Sequence, residues 1–179
     1  MISGLEGWKM RRFKKNTAAM MGAILIMVLG QTTLSYAGTW VRAEDGGFRY
    51  ETEDGTFASG WLIDDGKWYY FDEEGRMDTG WIMDQGRWYY LSPASGEWIV
   101  PPINENTVSY LLENALADAG LYQDEENLDT RIESITKTTV VITVGKIDRP
   151  ESFRGFAQFK VDRKTRKAEA VFGGTDLEL

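Results

Sequence analysis

A twenty-residue period limits what this chain can become. Trp61, Gly66, Trp68, Tyr69 and Tyr70 recur twenty positions on as Trp81, Gly86, Trp88, Tyr89 and Tyr90, and Gly60 recurs as Gly80. Stepping back by twenty, Phe48, Tyr50, Gly55, Phe57 and Gly60 stand where Trp68, Tyr70, Gly75, Met77 and Gly80 stand in the next copy. Trp40 lies twenty-one before Trp61, so the first copy holds one extra residue. The third gains one within Ser92-Pro93-Ala94-Ser95-Gly96 and ends at Trp98, before Pro101-Pro102. Six of the seven Trp fall from Trp40 to Trp98, so the aromatic load belongs to the repeat. Units of this length cannot bury an apolar face alone and must stack on their neighbours.

Each copy reads as a β-hairpin. Asp65-Gly66 is a two-residue turn signal between aromatic and β-branched residues. With those two in the turn, Ile63 faces Trp68, Leu62 faces Tyr69 and Trp61 faces Tyr70. Strand parity then puts Trp61, Ile63, Trp68 and Tyr70 on one side and Leu62, Tyr69 and Phe71 on the other. In the first copy, a three-residue loop Glu44-Asp45-Gly46 with a left-handed Gly46 restores the equivalent pairing of Trp40 with Tyr50. A hairpin this small is marginal in water, so some rings must pack. Gly75-Arg76-Met77 and the residues to Gly80 form the connection, with Met77 tucked under the next hairpin.

From Ile103 the pattern changes. Val108, Leu111, Leu112, Ala115, Leu116 and Ala119 follow helical spacing, with Asn104 or Asn106 as N-cap and Gly120 as the stop. An acidic loop, Asp124-Glu125-Glu126, precedes four β-rich segments at about 130–136, 139–147, 153–162 and 167–172. A helix followed by a four-stranded meander makes residues 103–179 a small α+β domain, one helix packed on an antiparallel sheet. At the other end, Met10-Arg11-Arg12-Phe13-Lys14-Lys15 is basic, and residues 18–30 form an apolar run of 13. Ser35-Tyr36-Ala37 supplies small residues for a cut after Ala37. This is the layout of a secretory signal peptide over residues 1–37, with Met10 an alternative start, and the run is short for a membrane span.

Setting residues 1–37 aside removes five of the 20 basic and one of the 28 acidic residues and leaves a net charge of −12. That charge repels a polymer of phosphates, so nucleic acid is not an expected partner and a cation is the more natural ligand. The chain has no Cys and no His. Cysteine nucleophiles, His-based triads, His/Cys zinc sites and disulfides are therefore excluded. Glu44-Asp45 and Asp72-Glu73-Glu74 invite a calcium reading, but no complete EF-type loop is present, and neither metal nor cofactor is expected.

The repeats resemble the choline-binding, or cell-wall-binding, repeats of Gram-positive surface proteins. The likeness rests on Gly60-Trp61, Gly66, Trp68-Tyr69-Tyr70, Asp72-Glu73-Glu74-Gly75, Met77 and Thr79-Gly80, and extends over residues 38–100. It implies a solenoid of hairpins in which choline lies between neighbours. Two Trp of one copy and the middle Tyr of the next would form each cage. On this chain the full set is Trp61, Trp68 and Tyr89, with Met77 as lining. Trp40, Phe48 and Tyr69 make a second cage with Phe in place of Trp. Trp81 and Trp88 make half of a third, which Trp98 is placed to close. Arg49 stands where the middle Tyr would be. A trimethylammonium group donates no hydrogen bond, and ring faces attract it through their quadrupole. Residues 159–168 also resemble the strand–turn–strand of PepSY-type domains, a pattern with Gly where Arg166 stands.

The resemblance implies a secreted, non-catalytic protein of the Gram-positive cell wall or surface. Its partner would be choline-bearing teichoic acid or another wall polysaccharide, with a protein partner open to the C-terminal domain. The alternative is a carbohydrate-binding module in which the same rings stack on sugars, with Asp64, Asp84 and Gln85 taking hydroxyls. A second alternative is a small hydrolase using Glu113, Asp118 and Glu133, although nothing in their spacing singles them out.

Overall fold

The computed structural model describes residues 38–44, 46–122, 128–149 and 152–179, with backbone alone at 148 and 149. The expected signal peptide lies outside the described residues, as do Asp45 and the acidic loop Asp124-Glu125-Glu126. The chain divides between Val100 and Pro101 into two compact units. Among the described residues, no helix is long and apolar enough to cross a membrane.

The first unit is built of antiparallel hairpins. They are β1 (Thr39–Arg42) with β2 (Phe48–Glu51), β3 (Gly60–Asp64) with β4 (Lys67–Phe71), and β5 (Gly80–Asp84) with β6 (Arg87–Leu91). A short β7 (Trp98–Ile99) adds to the last. The register is the one the turns dictate. Trp61 pairs with Tyr70, Leu62 with Tyr69 and Ile63 with Trp68. Trp81 pairs with Tyr90, and Trp40 with Tyr50. Asp65 and Gln85 both take φ 47, followed by Gly66 at 73 and Gly86 at 85. Two successive positive-φ residues are what a two-residue turn needs to match strand twist. In the first loop Gly46 is left-handed, at φ 86, as its length requires.

Burial divides the faces of the middle hairpin. Leu62 and Phe71 join Tyr50 and Ala58 in a buried cluster, and Trp40, Tyr69 and Met77 pack against it. The turn after each hairpin ends in a left-handed glycine, and after the second and third hairpins that glycine carries a further constraint. A Cβ at Gly75 would lie 2.7 Å from Cβ of Phe57, and one at Gly96 2.3 Å from Sδ of Met77. Phe57 and Met77 each form an isolated bridge, to Glu51 and Phe71 respectively, and so hold equivalent places in successive copies. Each of these two glycines is therefore a seat for the previous copy's closing side chain. The Met77 N–H also donates to the Phe48 carbonyl at 2.8 Å, joining the first two copies through backbone.

The second unit holds one helix among its described residues, α1 (Val108–Asp118). Its sheet comprises β8 (Leu128–Ile135), β9 (Thr139–Arg149), β10 (Ser152–Asp162), β11 (Lys167–Phe172) and β12 (Leu177–Glu178), in the order β12-β11-β10-β9-β8. Val108, Leu111, Leu112, Ala115 and Leu116 of α1 are buried, as are Val140, Ile142, Val144, Ala157, Phe159 and Val161 of the sheet. Thr130 and Ser109 bond through their hydroxyls at 2.8 Å, tying β8 to α1.

Two expectations are corrected here. The sheet has five strands rather than four, because residues after Gly173-Gly174 turn back and pair with Lys167 and Ala168. The N-cap is Thr107, not Asn104 or Asn106. Asn104 is drawn into a turn of its own, its side-chain oxygen accepting the Asn106 N–H at 2.8 Å. Gly120 does stop the helix, at φ 68. Arg166 also takes a left-handed φ, 65, where the PepSY-type pattern has Gly. Its guanidinium is anchored to the carbonyls of Leu179 and Pro101. Arg163 reaches Ile103 O at 2.8 Å, so this one turn holds both ends of the unit.

Gly55 and Gly75 are equivalent and both left-handed, yet only Gly75 is a seat. Gly55→Ala should cost about 1 kcal/mol of backbone strain. Gly75→Ala should cost a further ~1–3 kcal/mol for overpacking against Phe57. Urea unfolding followed by tryptophan fluorescence reads the difference, since all the described tryptophans lie in this unit. Equal midpoints would remove the seating role.

Candidate functional site

Hairpin register places the rings within each copy. The GW tryptophan lies opposite the last aromatic of its own hairpin, with ring centroids 5.2 Å apart for Trp40–Tyr50. The same pairing gives 5.2 Å for Trp61–Tyr70 and 4.9 Å for Trp81–Tyr90. Trp68 stands diagonally across the same face, 6.4 Å from Trp61 with the rings at 81°. The middle aromatic points the other way and meets the previous hairpin. Tyr69 lies 4.9 Å from Trp40 at 71°, and Tyr89 4.8 Å from Trp61 at 69°. Trp61, Trp68 and Tyr89 thus form inclined walls between the second and third hairpins, and all three are half-buried. Rings steeply inclined to one another present faces as well as edges, the arrangement a cation needs within about 6 Å of a ring centroid.

A polar contact holds each wall. The indole N–H of Trp40 donates to Asp64 at 2.8 Å, and that of Trp61 to Asp84 at 3.0 Å. Asp64 also accepts the Tyr50 hydroxyl at 3.2 Å, while that hydroxyl takes the Gly38 N–H at 3.1 Å. The sequence alone places Asp64 and Asp84 only as partners of sugar hydroxyls. Their spacings from the tryptophans, 24 and 23 residues, differ by the first copy's one-residue insertion, which is the signal that could have found them. Gln85 stays exposed in its turn.

The remaining candidates are distributed unevenly. Met77 packs on the cluster of Tyr50, Ala58, Leu62 and Phe71, the same one that Trp40 and Tyr69 pack on. Phe48 is 44% exposed and has no ring partner among the described residues. Trp81 and Trp88 hold the wall positions of the third hairpin, but no further hairpin of the repeat follows among the described residues. Trp98 pairs with Leu91 as Met77 does with Phe71, and its ring lies 6.2 Å from Tyr89. It therefore backs the Tyr89 phenol, whereas the sequence places Trp98 to close the half-site of Trp81 and Trp88. Arg49, in the middle-aromatic place, lies over Phe57 at 5.1 Å. Of the nominated acids, Glu113 and Asp118 are five residues apart on α1, about 140° around its axis. Glu133 is exposed on β8.

The acidic turns bind their own backbone. Asp72 accepts the N–H groups of Glu74 and Arg76 at 3.0 and 2.8 Å, and pairs with the Arg76 guanidinium at 2.8 Å.

A choline-binding repeat model matches residues 58–100. Residues 58–100 belong to the choline-binding repeat family. The choline binding domain of Spr1274 in Streptococcus pneumoniae is 33% identical over 35% of this chain and 92% of that one, with a TM-score of 0.32. CbpJ from Streptococcus pneumoniae TIGR4 is 31% identical over 37% of this chain, with a TM-score of 0.33, and the match spans only 22% of CbpJ. No curated protein matches the chain. The match to the choline-binding repeats ends at residue 100, and nothing matched supports the PepSY-type resemblance of residues 159–168.

Three phenols of the choline-binding repeats are held above the ordinary 10.0. Burial raises Tyr50 most, with Asp64 adding to it against the Gly38 N–H. Burial raises Tyr69 against the pull of Lys67, and burial followed by the charge of Asp84 raises Tyr70. A phenol with a higher pKa folded than unfolded keeps its proton more tightly when folded. Its contribution is complete below the unfolded value of about 10 and is lost as pH rises toward the folded one. Above about pH 10 the unit should therefore lose stability, with part of its phenolate absorbance appearing together with tryptophan exposure. Full phenol ionisation in a still-folded chain would contradict this.

Proposed function

We propose that residues 38–100 form a short solenoid of hairpins that binds choline on a wall polymer through the cage of Trp61, Trp68 and Tyr89. The observation that carries this reading is the pair of ring contacts about Trp61, to Trp68 at 6.4 Å and to Tyr89 at 4.8 Å. Membership of residues 58–100 in the choline-binding repeat family supports it. Trp40 with Tyr69 makes a second, poorer site, since Phe48 is turned to solvent. Each ring contributes roughly 1–2 kcal/mol to a desolvated cation. After association costs, one site holds choline with a dissociation constant on the order of millimolar. Attachment then comes from two or more sites engaging one repetitive polymer.

In this reading the protein is a secreted, non-catalytic wall-attachment protein of a Gram-positive bacterium, and residues 103–179 are a separate domain that meets a different partner. A carbohydrate ligand is less well served. Sugar hydroxyls need partners beside the rings, and of the carboxylates there Asp64 already engages both oxygens, with Trp40 and Tyr50, while Asp84 holds the Trp61 indole through one.

Titration of tryptophan fluorescence tests the choice of ligand. Choline chloride should give a saturable change with a midpoint of about millimolar, and Trp61→Ala should remove most of it. A saturable response to a glucan oligomer, with none to choline, would overturn the choline reading.

A further inference from the structure

Each tryptophan wall carries a formal negative charge at its edge. We propose that Asp84, with Asp64 in the preceding copy, is a specificity-determining residue that makes the cage prefer a cation over a neutral group of the same shape; this rests on the choline reading above. An indole N–H lies in the ring plane, so the Asp84 carboxylate, 3.0 Å from Nε1 of Trp61, sits at the ring's edge and leaves the faces open. Donation to an anion strengthens the hydrogen bond and draws positive charge in the indole toward that edge. The face that meets a ligand becomes more negative. The carboxylate's own charge acts through space in the same sense on a cation held within about 6 Å of the ring centroid. Asp84 is itself half-buried, so solvent screens it less than a free surface charge.

A neutral tert-butyl group of identical outline gains the same ring contact and none of the electrostatic part. The hydrogen bond and the charge can therefore be separated. Asparagine at this place keeps an acceptor oxygen for the indole and loses the charge. Trp61–Asp84 is the cleaner pair, because Asp64 is shared between Trp40 and Tyr50. The nearest cations in the strand register are Arg87, the cross-strand neighbour of Asp84, and Lys67, that of Asp64, whose ammonium lies 3.4 Å from Glu97.

The test compares choline with dimethylbutanol, its neutral carbon isostere, by fluorescence titration of the full chain and of Asp84→Asn. The substitution should weaken choline about three- to tenfold and leave dimethylbutanol within about twofold. A sodium chloride series on the unaltered chain asks the same without a mutation. Choline affinity should fall with salt, and dimethylbutanol affinity should not. A choline-to-dimethylbutanol preference unmoved by Asp84→Asn and by salt would overturn this proposal and leave the choline reading standing. Equal losses for both ligands would reduce Asp84 to a structural role. An unaltered chain that binds no choline at all would remove both readings together.

Discussion

The choline-binding repeats depend on one contact, the seating of a hairpin's tryptophan against the tyrosine and aspartate of the next. A pair of five-residue strands has no interior of its own. Trp61 gains one by meeting Tyr89 at 4.8 Å and Asp84 at 3.0 Å, and Trp40 does the same with Tyr69 and Asp64. The two halves of the contact act differently. Ring against ring removes apolar area from water but leaves the indole free to swivel, whereas the N–H to carboxylate bond fixes its rotation. With the rotation fixed and the phenol against the indole at a steep angle, ring surface remains for something else. Core and site are thus made of the same atoms, so a ring cannot be improved for one role without consequence for the other.

The acidic excess also has a local explanation. Asp54 accepts the side-chain hydroxyls of Thr52 and Thr56, and Asp72 accepts two backbone N–H groups. In the second unit Asp162 does likewise. The N–H groups of Thr165 and Lys164 hold its carboxyl below the ordinary carboxylate value. Many of these acids close turns, and in the first unit the turns set the spacing of the hairpins. The glycine ending such a turn then admits the closing side chain of the copy before, Phe57 at Gly75 and Met77 at Gly96. Turn backbone and closing side chain therefore specify the same succession of hairpins.

Register and ring faces were legible in the sequence because a two-residue turn sets the pairing and strand parity sets the side. The helix was legible for the same kind of reason, from its apolar period and Gly120. Other features were not. Asp64 and Asp84 look like turn residues, since their indole partners lie 24 and 23 residues earlier on another hairpin. Trp98 looks like an extra wall until its pairing with Leu91 shows it to be the counterpart of Met77, displaced by the longer third turn. Strand β12, two residues long, carries no period to read. Thr107 stands at the cap position without a side-chain cap bond, its hydroxyl donating to the Pro102 carbonyl, while Asn104 accepts the Asn106 N–H in a turn of its own, local bonds that spacing alone does not rank.

What repeats in this chain is a set of pairings more than a length of twenty. The first copy's extra residue is absorbed in its loop and leaves Trp40 opposite Tyr50. The third copy's is absorbed in its turn and leaves Trp98 opposite Leu91. Insertions are tolerated where they change the path between strands, and they would be ruinous within a strand, where one residue turns every ring to the other face. In the proposed reading, binding capacity scales with the number of adjacent hairpin pairs rather than with the number of hairpins. Three hairpins make two interfaces, each with a tryptophan, an aspartate and a phenol. The face bearing Trp81 and Trp88 has the walls of a third interface, but among the described residues no further hairpin of the repeat follows to supply the phenol.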